Sequence, residues 1–314
     1  MNIDLLGTAG PHGWPLPDCP CASCSALRAA GTHVEPTRLL IDGVSPEACT
    51  TLPVPGGYDI ESPGGEHLLM AGGPGQCPEP VPGRRYDAVL LDLAGRPEHL
   101  GRLRHEGAVT PVTAVHAVHV DHRLRSPAEL ERRLRWWRTP RQGPHRTLLL
   151  GGGRSGKSAE AELRLAAEPD VTYVATAADR PGDAEWADRI AAHRDRRPPW
   201  WRTAETTDLA GVLATARGAV LIDGLGTWLA AVMDATGAWE TPDAVRGPVE
   251  DLIESWRTTR SHVIAVTDEV GLSLVATTRS GRLFSDLLGR LNQSLAAESE
   301  EAALVVAGRV VDLP

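Results

Sequence analysis

The stretch Gly151-Gly-Gly-Arg-Ser-Gly-Lys-Ser158 decides the fold of the second half of this chain. It matches the phosphate-binding pattern G-x-x-x-x-G-K-[ST] at every specified position. Its lysine is the only one among 32 basic residues, so the chain avoids lysine elsewhere. A compact ammonium on a flexible stem follows the β- and γ-phosphates better than a planar guanidinium does. We therefore predict that a nucleoside triphosphate binds to Gly151, Gly152, Gly153, Arg154, Ser155, Gly156, Lys157 and Ser158.

Short apolar runs alternate with helical stretches from Arg146 onward. This alternation indicates βαβ units, in which the strands lie parallel and helices cover both faces of the sheet. The predicted strands are Thr147–Leu150, Val171–Ala175, Ala219–Asp223, His262–Thr267 and Ala302–Ala307. The predicted helices lie near 157–168, 183–196, 227–236, 246–258 and 283–298. The fold predicted for this part is α/β, with the mostly parallel sheet of a P-loop NTPase.

A carboxylate at a strand end complements the loop. Asp223 ends its apolar run, at the place where P-loop proteins hold Mg²⁺ or its water. The hydroxyl of Ser158 is the second expected contact of the metal. An aspartate at a strand end is otherwise often a cap, but beside this loop it favours a Mg²⁺ site.

Composition narrows the class of partner. A net charge of −9 and a pI near 5.7 argue against nucleic acid, which needs a basic face. No run of about 18 apolar residues is present, so no membrane-spanning helix is expected. The N-terminus lacks the regions of a secretory signal, which predicts a cytoplasmic protein acting on a small molecule. The oligomeric state stays open, a homo-oligomer included.

Three of the five cysteines crowd into Cys19-Pro-Cys21-Ala-Ser-Cys24. Disulfides are rare in cytoplasmic proteins, and thiolates at these spacings can converge on a tetrahedral Zn²⁺ that needs a fourth ligand. The candidates for that ligand lie in the histidine-rich stretch 116–122. Free thiols in a loop are the alternative.

The amino-acid composition and the pattern of apolar runs change near residue 140. The first part is rich in Gly and Pro, with short strands expected in Arg38–Asp42 and Tyr86–Leu93 and a helix that begins after Ser126. Residues 141–146 read as a linker. We predict a smaller α/β domain over 1–140 and a P-loop domain over 147–314.

A charged segment follows the second predicted strand of the P-loop domain. Arg189 and His193 are four apart and share a helix face, and Arg194 comes directly after them. Neutral imidazole attacks phosphorus well and leaves when protonated. Residue chemistry alone, however, favours an ordinary surface histidine.

Four segments in a fixed order resemble the bifunctional adenosylcobinamide kinase / adenosylcobinamide-phosphate guanylyltransferase family. The resemblance covers about half of the chain, and its combination of motifs is more specific than the loop alone. The segments are the loop 151–158; Tyr173-Val-Ala-Thr-Ala177 with Asp183, Glu185 and Arg189-Ile-x-x-His193-Arg; Leu221-Ile-Asp-Gly-Leu-Gly-Thr-Trp-Leu229; and Asp268-Glu-Val-Gly271 with Phe284-Ser-Asp286 and Gly289-Arg-Leu-Asn-Gln293.

This resemblance implies two transfers in cobalamin assembly. The hydroxyl of the aminopropanol arm of adenosylcobinamide is phosphorylated, and GMP from GTP then passes to that phosphate through a guanylylated histidine. By motif match His193 is that histidine, Arg189 and Arg194 neutralise phosphate charge, and Glu205 is a nucleotide contact or else a solvated carboxylate. The choice between ATP and GTP for the first step stays open.

Several positions depart from the family pattern S-N-E-V-G-x-G-I-V-P and from Phe-Arg-Asp. They are Asp268, Ser273, Ala276 and Ser285. An added carboxylate and a missing arginine near phosphates would weaken binding if they face the anion. Two alternatives therefore stand beside the enzyme: a nucleotide-binding scaffold or regulator, and a P-loop kinase for another small alcohol.

The first part of the chain resembles metallo-β-lactamase-fold phosphodiesterases. The resemblance rests on Leu5-Leu-Gly-Thr8, the cysteine triad, Asp87–Leu93 and His119-Val-Asp-His122. It implies a structural zinc held by Cys19, Cys21, Cys24 and His122, and it aligns His119 and Asp92 with late ligands of a catalytic metal pair. The early H-x-H-x-D-H cluster is missing, since His67 is the only histidine in residues 43–85. The expectation is a shortened domain without hydrolase activity.

Overall fold

The structure is a computed structural model that describes residues 1–141, 143–176, 197–272 and 276–314. The chain divides into two units. The N-terminal unit comprises Met1–Pro140 with Ala166–Pro169, and the C-terminal unit comprises Arg141–Leu165 with Asp170–Pro314. Among the residues that the structure describes, no helix combines the length and apolarity needed to cross a bilayer.

The N-terminal unit contains two sheets. Strands β1 and β2 pair antiparallel, and β3 to β7 form a mixed sheet in sequential order, antiparallel up to β5 and parallel from β5 to β7. The strands are β1 Ile3–Gly7, β2 Arg38–Ile41, β3 Thr50–Val54, β4 Gly57–Glu61, β5 His67–Ala71, β6 Ala88–Leu91 and β7 Ala114–Ala117. The helices are α1 Ala22–Ala29, α2 Pro97–His105 and α3 Pro127–Trp137, with a 3₁₀ turn over Pro46–Ala48.

Helix α3 begins where the sequence predicts it. The hydroxyl of Ser126 accepts a hydrogen bond from the backbone N–H of Glu129, and Pro127 occupies the first helical position. Proline is tolerated there because its missing N–H would have no helical partner. The apolar run 86–93 is longer than the strand it contains, because only Ala88–Leu91 pairs in the sheet.

The C-terminal unit is built on a seven-stranded sheet of order β10-β9-β11-β12-β8-β13-β14. All neighbours are parallel except β13 and β14, which form a terminal antiparallel pair. The strands are β8 His145–Gly151, β9 Val171–Ala175, β10 Arg202–Glu205, β11 Ala219–Asp223, β12 His262–Asp268, β13 Glu301–Val306 and β14 Arg309–Leu313. The helices are α4 Lys157–Leu165, α5 Leu209–Thr215, α6 Leu225–Thr236, α7 Arg246–Thr258 and α8 Arg279–Ala297, with a 3₁₀ turn over Pro242–Val245.

Two apolar clusters cover the two faces of this sheet. On one face α5 to α8 pack around buried side chains such as Trp228 and Trp256, and on the other α4 packs beside Tyr173 and Trp201. The strands alternate between the clusters, so that Leu149 and its neighbour Leu150 point to opposite faces, as a pleated strand requires. The sheet therefore has helices on both sides.

The predicted elements of this unit are largely present. The strands over 171–175 and 219–223 and the helix over 246–258 have the predicted bounds. Strands β10 and β14 and helix α5 were not predicted, because each is short and half-exposed and gives a weak periodic signal. The helix predicted near 183–196 lies outside the described residues.

Candidate nucleotide and metal sites

The glycine-rich loop connects β8 to α4 at the carboxyl edge of the sheet. Arg154 and Gly156 have φ angles of +58° and +98°, a left-handed conformation that favours glycine at the second position. A Cβ built on Gly152 or Gly153 would meet no atom within 4 Å, so these glycines leave open space beside the backbone. The geometry suits a loop whose N–H groups surround phosphate at the start of a helix.

Strand β11 brings Asp223 to the first turn of α4. The hydroxyl of Ser158 donates a hydrogen bond of 2.9 Å to Asp223 Oδ1, and the hydroxyl of Tyr173 donates one of 2.5 Å to Oδ2. Burial, together with the negative charge of Asp223, raises the pKa of Tyr173. The phenol therefore remains a donor at neutral pH, and it fixes the plane of the carboxylate.

The hydroxyl oxygen of Ser158 and the carboxylate of Asp223 are ligands of the kind that Mg²⁺ prefers. A hydroxyl and a carboxylate beside a phosphate-binding loop supply hard oxygen ligands, while the phosphates and waters complete the coordination. The residues present therefore fit the predicted metal. The role of Tyr173 escaped the sequence analysis, because a tyrosine within a buried strand is ordinarily a core residue.

Lys157 lies at the mouth of the loop and is already paired. Its Nζ lies 2.8 Å from Asp268 Oδ1 and donates a 2.9 Å hydrogen bond to the carbonyl of Gly152. Asp268 is the last residue of β12 and stands opposite Gly151 in the parallel register. The added carboxylate therefore contacts the lysine of the predicted phosphate-binding loop directly.

Of the remaining predicted nucleotide contacts, only Glu205 lies among the described residues. Glu205 ends β10, is exposed, and stands opposite Ala175, which in turn stands opposite Asp223. Glu205 therefore lies at the same end of the sheet as Asp223, two strands away from it. His193, Arg189 and Arg194 lie outside the described residues.

An open cavity of about 440 Å³ lies on the same unit. The rings of Trp239 and Phe284 stack with centroids 6.4 Å apart and form its apolar wall. A Cβ built on Gly226 would lie 3.0 Å from Asp268 Oδ2 and 3.7 Å from Phe284 Cζ. Asp268, which pairs with Lys157, and the aromatic ring of Phe284 are therefore both neighbours of Gly226. The lining of the cavity is completed by Thr278, Ser280 and Gly281.

In the N-terminal unit the structure brings the four predicted zinc ligands together. The ligand atoms of Cys19, Cys21, Cys24 and His122 all lie within 4.8 Å of one another. His122 Nδ1 lies 3.2 Å from Cys19 Sγ and 3.9 Å from Cys24 Sγ. With Zn–S distances of ~2.3 Å and Zn–N distances of ~2.0 Å, tetrahedral ligand atoms are separated by about 3.5 to 3.8 Å, so the set fits zinc.

The local backbone explains how adjacent cysteines face inward. Cys21 is the N-cap of α1, and its sulfur accepts a hydrogen bond from the N–H of Cys24. That hydrogen bond lowers the pKa of Cys21, whereas burial raises the pKa of Cys24 to about 11. A buried thiol of this kind needs a cation to become a thiolate, which is what a structural metal provides.

A buried serine ties this helix to the loop that carries the histidine. The Ser23 hydroxyl donates a 2.7 Å hydrogen bond to the carbonyl of Leu124 and accepts one of 3.1 Å from Trp14 Nε1. The link spans about 100 residues of chain and holds His122 beside the cysteines. Ser23 was not predicted, since a serine between two cysteines carries no signal of a distant partner.

Asp92, aligned by resemblance with a catalytic-metal ligand, has a different partner in the structure. Its buried carboxylate accepts hydrogen bonds of 2.8 and 3.1 Å from the two terminal nitrogens of Arg123. It also accepts the N–H groups of Gly75 and Gly95 at 2.6 and 3.1 Å. Arg123 Nε donates to Asp121 at 2.7 Å. A guanidinium thus lies between two carboxylates, and the oxygens of Asp92 are fully used by N–H donors.

His119, the other aligned ligand, is buried and turned toward the backbone. Its Nε2 lies 3.0 Å from the carbonyl of Ala71 and donates to it, while Nδ1 finds no hydrogen-bond partner among the described residues. With Asp92 engaged by Arg123, these two residues are not arranged as a pair of metal ligands. Arg123 was not predicted, because its role requires knowing that Gly95 leaves room for its guanidinium.

The fold and the loop define the C-terminal unit as a P-loop nucleotide-binding domain. The family described as cobinamide kinase / cobinamide phosphate guanyltransferase matches residues 147–313. The chain therefore belongs to that family, and it is a transferase. Membership supports the use of a nucleoside triphosphate at this loop.

Two relatives match over about half of this chain and nearly all of their own length. The bifunctional adenosylcobalamin biosynthesis protein CobU of Salmonella typhimurium is 37% identical over 174 residues, 51% of this chain and 95% of the relative. Its counterpart CobP of Pseudomonas aeruginosa is 40% identical over 169 residues, 52% and 94% respectively. The flagellar accessory protein FlaH of Methanocaldococcus jannaschii is a solved structure with a TM-score of 0.32 and 10% identity, covering 59% of this chain and 81% of that one. The similarity to FlaH is too low to support a conclusion.

Proposed function

We propose that residues 147–313 phosphorylate adenosylcobinamide and then join GMP from GTP to the phosphate. In the first step the acceptor hydroxyl attacks the γ-phosphorus, its proton leaves, and the nucleoside diphosphate departs. In the second, a histidine nitrogen attacks the α-phosphorus of GTP and releases pyrophosphate. An oxygen of cobinamide phosphate then attacks the same phosphorus and frees the histidine. Splitting the transfer into two displacements avoids one awkward attack between anions.

The single observation that carries this proposal is the contact between the loop and β11. The hydroxyl of Ser158 and the carboxylate of Asp223 meet at 2.9 Å at the end of the sheet, and the neighbouring Lys157 donates to the carbonyl of the loop residue Gly152 at 2.9 Å. Mg²⁺ held there would neutralise charge on the β- and γ-phosphates. Lys157 would bind the same phosphates directly, and Ser158 and Asp223 would hold the metal.

We assign His193 as the guanylylated residue because of its position in the family motif. Arg189 and Arg194 are assigned to neutralise the charge of the phosphate. GTP labelled at the α-phosphorus should leave acid-labile label on the wild type and none on His193→Ala. The matched control is His33→Ala, since His33 is an exposed histidine of the N-terminal unit. Label that persists on His193→Ala, or that disappears from His33→Ala, would remove His193 from this role.

We propose that the acceptor binds in the aromatic cavity lined by Trp239 and Phe284. Trp239 and Phe284 offer an apolar wall, Thr278 and Ser280 offer hydroxyls, and the wall begins beside Asp268, next to the loop lysine. Such a mixture suits a large ring system that carries amide side chains. Trp239→Ala should raise KM for adenosylcobinamide without changing the Kd of GTP; an unchanged KM would exclude this placement.

For the N-terminal unit we propose a structural zinc and no hydrolase activity. The four converging ligands support the first statement, and the engagement of Asp92 by Arg123 supports the second. Metal analysis of the purified chain should give about one zinc, lost in Cys21→Ser and retained in Cys49→Ser. Cys49 is a suitable control because it lies outside the cluster. An unchanged zinc content in Cys21→Ser would exclude the site.

The alternative of a nucleotide-binding scaffold without turnover is not supported by the match to a kinase and guanyltransferase family. The contact of Asp268 with Lys157 bears on how tightly the nucleotide binds, not on whether turnover occurs. Incubation of the chain with adenosylcobinamide, ATP and GTP separates the two. Formation of GDP-cobinamide supports the enzyme, whereas nucleotide binding without product supports the scaffold.

A further inference from the structure

The ammonium of Lys157 is engaged on two sides. Asp268 Oδ1 lies 2.8 Å from Nζ, and the carbonyl of Gly152 accepts a hydrogen bond from it at 2.9 Å. The lysine side chain is 14% exposed and the aspartate 48%. The carboxylate is therefore the more exposed partner of the pair and covers the ammonium of the loop lysine.

The backbone of Asp268 is held firmly in this position. Its N-terminal neighbour Thr267 donates through its hydroxyl to Asn292 Oδ1 at 2.7 Å, and Asn292 Nδ2 donates to the carbonyl of Asp268 at 3.0 Å. The following N–H, that of Glu269, bonds to the carbonyl of Gly151 at 3.2 Å. With the strand end fixed, only side-chain rotation can move the carboxylate away from the loop.

We infer that Asp268 is the resident counterion of Lys157, which a triphosphate must displace, and that it makes nucleotide binding strongly dependent on Mg²⁺. This inference rests on the proposed nucleotide site. Once the lysine turns to the phosphates, the carboxylate faces an anion without its cation. A divalent cation on the phosphates offsets that repulsion, and in its absence the repulsion is fully felt.

Asparagine at this position, as in the S-N-E-V-G pattern that the chain resembles, would have a different effect. It keeps the size of the side chain and an acceptor oxygen for Lys157, but it carries no charge. Asp268 therefore selects metal-bound triphosphate over free nucleotide, a selection that asparagine would not impose. The residue determines specificity without any contact to the reacting atoms.

The test is a titration of the full chain with GTP, with and without Mg²⁺, by calorimetry. Asp268→Asn should bind Mg²⁺-GTP on the order of tenfold more tightly, about 1.4 kcal/mol, since half-exposed pairs are partly screened. The ratio of the Kd without Mg²⁺ to the Kd with Mg²⁺ should fall in the same variant. Asp268→Glu, which keeps the charge, should resemble wild type in both quantities.

Glu250→Gln is the matched control, because Glu250 is an exposed carboxylate of α7. It removes one negative charge from the same unit and should change neither quantity. An Asp268→Asn protein with a wild-type circular dichroism spectrum but unchanged or weaker GTP binding would overturn the inference, as would an unchanged Mg²⁺ ratio. If wild type binds no GTP, or if Lys157→Ala binds as tightly as wild type, the proposed nucleotide site itself fails.

Discussion

Replacement of Arg123 by methionine tests the charge balance of the N-terminal unit. The side chain of Asp92 is fully buried, and Arg123 donates two hydrogen bonds to it, at 2.8 and 3.1 Å. Methionine retains the apolar stem of arginine but removes the guanidinium. Arg123→Met therefore leaves a buried carboxylate without its cation.

The expected loss in the free energy of unfolding depends on the hydrogen bonds that Asp92 retains in the variant. Removing one partner of a buried ion pair costs about 3 to 5 kcal/mol. Asp92 retains the N–H donors of Gly75 and Gly95, and the Arg123 side chain is 32% exposed, so the lower end applies, about 3 kcal/mol. Asp92→Asn in the Arg123→Met background removes the stranded charge, so the double variant should lose at least 1 kcal/mol less than the sum of the single changes.

Hydrogen exchange followed by mass spectrometry measures this loss locally. Amides of β6, next to Asp92, should exchange faster in Arg123→Met by a factor corresponding to about 3 kcal/mol, while amides of β11 in the other unit serve as an internal reference. Arg135→Met, at an exposed position of α3, is the matched control. A loss below about 1 kcal/mol, or strictly additive variants, would refute the electrostatic account.

Three further outcomes are expected. Ser23→Ala leaves the Leu124 carbonyl without its hydrogen bond and should lower the free energy of unfolding by about 2 kcal/mol. It should also speed the loss of zinc to a chelator, and an unchanged rate of release would contradict the role of this hydrogen bond. Trp256→Ala empties a fully buried site and should lower the free energy of unfolding of the C-terminal unit by about 3 to 5 kcal/mol in urea, a smaller loss indicating that the site collapses. His145, whose Nε2 lies 3.2 Å from Glu301 Oε1, together with Arg164 and Arg141, lowers the pKa of Glu301 to about 2. The stabilisation from this carboxylate is therefore present above pH 4.5 and is lost as the pH falls toward 2. Glu301→Gln should therefore lower stability at pH 7 by about 1 kcal/mol after solvent screening and flatten the acid limb of a stability–pH curve, whereas an unaltered limb would speak against the pairing.

The sequence by itself determined the strongly periodic elements of the C-terminal unit and the identity of its loop, but not the short, half-exposed β10, β14 and α5. Strand β11 and helix α7 follow from apolar runs and helical periodicity, both local properties of the chain. The P-loop pattern likewise specifies a backbone conformation, since Gly156 takes a φ of +98° that other residues rarely adopt. The cysteine spacing predicted a converging set in the same way, because its three thiols lie within six positions.

Only the tertiary structure decided which charges neutralise one another. Asp268 was recognisable as an added carboxylate, but its contact with Lys157 arises because β12 and β8 are neighbours in the sheet. Arg123 reaches Asp92 across 31 positions, and Ser23 reaches Leu124 across 101. Electrostatic and hydrogen-bond partners act over a few ångströms in space. Sequence separation does not report such proximity, so these pairings could not be read from the chain alone.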